Sequence, residues 1–235
     1  MTEPVSHVGT KNFQARRAVL ATGFTLMSAA VLTYVASALA GATSAGFFVA
    51  ATYGLPLGNA GVIALLAGLI LTALSFTLVP LAYSELRKGS EEGTDLKQAL
   101  RIGRHILGIA YLVLAVAGAL ILVGGFTKGG FLFVGAGVVM TLPVALAFLT
   151  AIAIPAATLA KNVRKNVAIG GAVLVSVASV AELVLALTTI FASRVVGPFW
   201  FGLGGYPLLN WSLPFGTLVA IGYLMIWSTY RSLTR

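Results

Sequence analysis

The chain has 235 residues, 59% of them hydrophobic and only 9% charged, with no Cys and a formal net charge of +9. Soluble domains carry about a quarter charged residues, so a water-facing surface cannot be built from this composition. The lack of Cys excludes disulfides, thiol nucleophiles and Cys metal sites, and transmembrane barrels are excluded because roughly ten-residue segments of alternating polarity are missing.

Six apolar stretches follow in chain order: 18–40, 60–84, 106–126, 131–159, 167–192 and 213–230. Each is long enough, at 1.5 Å per residue, to cross about 30 Å of hydrocarbon as a helix. The expected fold is therefore an all-α, six-helix membrane bundle in a single domain. The first stretch follows a basic start, "ARRAVL", and ends in "ASALAGA", which resembles a signal cleavage site. Its apolar run exceeds the usual 7–15 residues of a signal core, so a retained helix is expected. It carries small residues every four positions (Ala29, Thr33, Ser37, Gly41), as does the second (Ala60, Ala64, Gly68, Thr72). Helices in lipid meet through small residues, so these stripes predict a close contact between the two. Gly135 and Gly137 give a weaker signal of the same kind.

Between the second and third stretches lies the polar segment 85–105. Its mixed charges read as a solvated face at the headgroups, with a docking surface as the sharper alternative. Thr94 is placed to cap a helix starting at Asp95 and running into the third stretch. The fourth stretch carries Pro143 and Pro155, which predict a kink or a steep tilt. The segment 193–212 is nearly uncharged and rich in Phe199, Trp200, Phe201, Tyr206 and Trp211. Such residues favour the membrane interface, so the loop is expected to lie on the headgroups, with a lid or docking surface over the bundle as the functional alternative. Its Asn210-Trp211-Ser212 sequon lies close to the sixth stretch, where glycosylation is not expected.

Charge fixes the expected threading. Thirteen basic residues precede or follow the stretches on one side, and only Lys128 and Arg194 fall on the other. By the positive-inside rule both termini and residues 85–105 should be cytoplasmic, in the cell membrane. The net charge is thus explained by topology, and no nucleic-acid partner is expected. Basic residues before each odd-numbered stretch suggest three repeated hairpins, a pattern that topology alone also produces. Five Asn and two Gln are few; such scarcity fits a thermophile, although apolar membrane chains are poor in amides anyway.

His7 and His105 are the only histidines. No in-membrane His pair exists to hold haem, and no metal cluster, nucleophile–base pair or phosphate loop can be read. No catalytic residue, cofactor or metal is expected, and the chain is read as a non-enzyme. The one acid within a stretch is Glu182. A charged acid near the bilayer centre costs about 2.5–3.5 kcal/mol on insertion scales, less when neutral, which makes it a functional candidate by default. Counting from Val167, it lies about 22 Å along the helix, in the outer third of the membrane. At 100° per residue, Ala178, Ser179, Ala186 and Thr189 share its face, which should turn toward other helices. Glu182, Ser179 and Thr189 are thus a candidate intramembrane polar site; a neutral Glu182 donating one structural hydrogen bond is the bland alternative.

Two functions are expected on this basis. The first is a non-catalytic subunit or scaffold of a larger membrane assembly, bound to a membrane-protein partner or to further copies of itself. The second is a small transporter for a proton, cation or solute, using Glu182. Topology and size resemble those of the substrate-binding subunits of energy-coupling-factor importers, without a motif that ties the chain to that family.

Overall fold

The computed structural model describes residues 7–52, 54–127, 130–195 and 206–234. They form six helices: α1 (His7–Thr52), α2 (Gly58–Gly89), α3 (Asp95–Phe126), α4 (Phe131–Leu159), α5 (Val163–Val195) and α6 (Tyr206–Leu233). No strand occurs among the described residues. The first five are long and apolar enough to cross a membrane. The sixth packs against α1 and α5, and α1·α2 and α3·α4 are the most extensive pairings.

The outer surface is what lipid requires. Leu66, Leu69 and Ile70 on α2, Ile109 and Leu112 on α3, and Val173 and Val177 on α5 are all exposed. The buried centre is apolar and aromatic. α1, α2, α3, α4 and α6 each contribute one ring to a continuous line: Tyr111, Phe76, Phe148, Tyr34, Tyr223. Phe76 stacks on Phe148 at 4.2 Å, and Tyr34 lies 5.0 Å from Phe148 and 4.6 Å from Tyr223.

α1 and α2 meet as expected, but along a different line. Ser44 donates to the Gly61 carbonyl, Ser37 to the Gly68 carbonyl, and Ser75 to the Ala30 carbonyl, at 2.7–2.9 Å. The rungs are seven residues apart on each helix, the spacing of antiparallel helices that coil gently about each other. Ser37 and Thr72 also pair at 2.5 Å. Ala29 and Thr33, grouped with them by a period of four, take no such part. The Thr33 hydroxyl bonds back to the Ala29 carbonyl on its own helix. Over three turns a stripe with period four drifts around a helix with 3.6 residues per turn, whereas a period of seven stays on one face.

α4 runs unbroken through both prolines. Pro155 has no N–H to give the Ala151 carbonyl. Tyr83 of α2 replaces it, donating to that carbonyl at 2.6 Å, while Tyr230 of α6 donates to the next, Ile152, at 2.5 Å. Pro80 in α2 likewise leaves the Phe76 carbonyl without a helical donor, and Tyr111 of α3 supplies one at 2.6 Å. Neighbouring helices thus restore what two prolines remove, the condition under which lipid tolerates them.

The helices extend past the expected stretches. α3 begins at Asp95, with the Thr94 hydroxyl accepting from the Lys97 N–H at 3.4 Å. The segment 193–212 is not all loop. α5 continues to Val195 and α6 starts at Tyr206, so Tyr206 and Trp211 belong to a helix. Pro207 falls in its first turn, where a missing N–H loses no helical bond.

Candidate functional site

Glu182 stands on the buried face of α5. Gly171, Val175 and Ala178 precede it at helical spacing and are buried, whereas Val173, Val177, Val180 and Val184 on the opposite face are exposed. About 16 Å before Glu182 along α5, α6 comes so close that a Cβ on Gly171 would stand 2.5 Å from the Gly222 carbonyl oxygen. Absence of side chains at both glycines therefore sets how near α5 and α6 lie.

The Glu182 carboxyl reaches across that seam. Its Oε1 lies 3.7 Å from where a Cβ would stand on Gly216 of α6, a point also 3.0 Å from the Ala42 Cβ and 3.5 Å from the Ala38 carbonyl oxygen of α1. The acid thus enters where three helices meet, among small residues that leave room for it. Tyr34, one helical turn before Ala38, is within electrostatic reach of the carboxylate.

No hydrogen-bond or ion-pair partner of the Glu182 carboxyl occurs among the described residues. Arg194 is twelve residues on along unbroken helix, about 18 Å away by helical rise. Tyr223 is almost fully buried. Its hydroxyl lies beside that of Tyr34 but has no partner of hydrogen-bonding geometry among the described residues. The carboxyl of α5 and the Tyr34–Tyr223 pair of α1 and α6 thus lie on adjoining helices, and neither the carboxyl nor the Tyr223 hydroxyl has a hydrogen-bond partner among the described residues.

Ser179 is half-buried beside Glu182 on α5. The side chains of Thr189, Tyr206 and Trp211, and all of Phe199, Trp200 and Phe201, lie outside the described residues. Sequence reasoning missed Tyr34, Tyr223 and Gly216. A signal was present: Tyr favours the membrane interface, so a mid-span Tyr needs a polar reason to be there. The chain matches no protein-family model, and no curated protein or solved structure is significantly similar to it.

Proposed function

We propose that this chain is a non-catalytic integral protein of the cell membrane, with six spans and both termini in the cytoplasm, that binds a proton or a small cation at Glu182. The observation that carries the second half is the inward carboxyl, which has no hydrogen-bond or ion-pair partner among the described residues. A purely structural acid would be expected to donate to a carbonyl or hydroxyl, and an uncompensated buried polar group costs about 1–3 kcal/mol. Tyr34 and Tyr223 supply oxygen ligands or proton relays on the adjoining helices. The aromatic line fills the middle of the bundle, which suits a proton or bare cation better than a larger solute.

That same packed centre favours a second reading, a subunit of a larger membrane assembly that carries no solute itself. Two measurements separate them. In reconstituted vesicles, Glu182→Gln should fold normally yet abolish pH-dependent proton or cation uptake; uptake equal to the native chain's refutes the first reading. Recovery of a stoichiometric partner from mild detergent, with no uptake by the native chain alone, supports the second.

A further inference from the structure

α2 and α3 are consecutive in the chain, yet they touch less than any other consecutive pair of helices. A cleft of about 1330 Å³ opens between them near the 85–105 segment. Its wall changes character along its length. On α3, Arg101, Arg104, Gly108 and Tyr111 all line it. Their spacing of three, four and three residues makes one stripe, about 15 Å long by helical rise. Arg87 faces them from the end of α2, and Leu107 joins the apolar end.

Two of the cleft's cations are already engaged. Lys88 pairs with Glu85 at 2.5 Å, and Lys97 pairs with Glu92 at 2.9 Å, which holds the Glu92 carboxyl below the usual carboxylate range. Arg87, Arg101 and Arg104 are exposed and have no ion pair among the described residues. Three free guanidiniums thus face one opening, whose other end is apolar and set within a lipid-spanning length of helix. Guanidinium forks bind phosphate oxygens two at a time. A ligand that suits both ends needs a phosphate head and a hydrocarbon tail.

We propose that this cleft holds one anionic phospholipid of the surrounding leaflet, its phosphate between Arg101, Arg104 and Arg87 and an acyl chain along Gly108 toward Leu107 and Tyr111. Basic pockets between helices at the membrane surface are suited to such headgroups. Occupancy would also cover faces of α2 and α3 that their own packing leaves apart. The site lies away from Glu182, so its fate does not depend on that of the proton or cation proposal.

The test is lipid retention by the full chain in mild detergent, read by native mass spectrometry during titration with phosphatidylglycerol or phosphatidylcholine. Arg101→Gln with Arg104→Gln should weaken phosphatidylglycerol binding about 30-fold, at about fivefold per headgroup-level cation. The loop pair Lys161→Gln with Arg164→Gln, outside the cleft, should change it less than about twofold. Gly108→Leu adds a side chain where a Cβ meets nothing within 4 Å. It should block the acyl path and weaken binding with the charges intact and the unfolding midpoint unchanged. Phosphatidylcholine should bind weakly throughout, and millimolar inorganic phosphate should not displace the lipid. Equal losses in the loop pair, native-like binding by Gly108→Leu, equal affinity for phosphatidylcholine, or displacement by phosphate alone would each overturn the proposal.

Discussion

Tyr83→Phe removes one hydroxyl and should destabilise the bundle more than an ordinary interhelical hydrogen bond would. Such bonds in membranes average about 0.6 kcal/mol, because their groups find other partners when the bond is lost. The Ala151 carbonyl has none. Its helical donor would be residue 155, which is Pro, and both Tyr83 and Ala151 are buried. Orphaning it should cost about 1–3 kcal/mol. Ser75→Ala is the control. The Ala30 carbonyl that it frees keeps the N–H of Tyr34, one turn on, so that loss should stay near the 0.6 kcal/mol average. The decisive comparison is a double-mutant cycle with Pro155→Ala, which gives residue 155 an N–H aimed at Ala151. Any void left by the buried Pro155 ring appears in both Pro155→Ala variants and cancels. Tyr83→Phe should then cost about 1–2 kcal/mol less in the Pro155→Ala background than in the native one. Reversible unfolding titrations in mixed micelles would measure all four corners. Additive effects would refute the argument, showing that Tyr83 stabilises by packing and not by replacing the missing proline N–H.

Gly68→Leu should destabilise by about 1–3 kcal/mol or more, because the position of its Cβ already stands 3.4 Å from the Ser37 carbonyl oxygen and further carbons must push α1 away. Leu69→Ala, at a side chain 59% exposed, should be nearly neutral in the same titration; equal effects would place Gly68 against lipid. Single Cys residues introduced at Ser90 and Gly204 of this Cys-free chain should react with an impermeant thiol reagent from opposite sides of intact cells or vesicles, and labelling from one side would defeat the six-span threading. For Glu182, the Gln variant should match native stability and the Leu variant should lose no more than about 1 kcal/mol, since the carboxyl has no hydrogen-bond partner among the described residues; a loss of about 3 kcal/mol on Glu182→Leu would reveal a structural hydrogen bond instead.

Helix positions were legible because lipid imposes one simple demand, a run of apolar residues of fixed length. Residues 131–159 are helix as expected, with Gly130 at its start and the backbone turning extended at Ala160. Elsewhere apolarity under-reads helix length, because a helix does not stop where hydrocarbon does. α1 continues to Thr52, and the helix beginning at Tyr206 claims residues that composition alone assigns to a loop. The contact between α1 and α2 was legible as a pair of small-residue stripes, but its register was not. Which small residues meet is decided by which hydroxyl can reach a carbonyl across the seam, and that singles out Ser37, Ser44 and Ser75.

The candidate site divides the same way. An acid within a span announces itself by its own cost, so Glu182 and its inward face could be read from one helix. Tyr34 and Tyr223 could not be assigned to it, because nothing local distinguishes them from Tyr83, Tyr111 and Tyr230, which also sit within helices. The difference is tertiary. Tyr83 and Tyr111 each donate to a carbonyl that a proline four residues later leaves open, and Tyr230 donates beside one of them. Neither Tyr34 nor Tyr223 donates to a proline-opened carbonyl among the described residues; the Tyr223 hydroxyl has no hydrogen-bond partner among them, and it is Tyr34 that lies within electrostatic reach of Glu182. Two of these tyrosines, Tyr83 and Tyr111, thus stand in for a proline N–H, whereas Tyr34, Tyr223 and Tyr230 do not. Proline positions in the sequence, read together with the helix order, are what separate the two kinds.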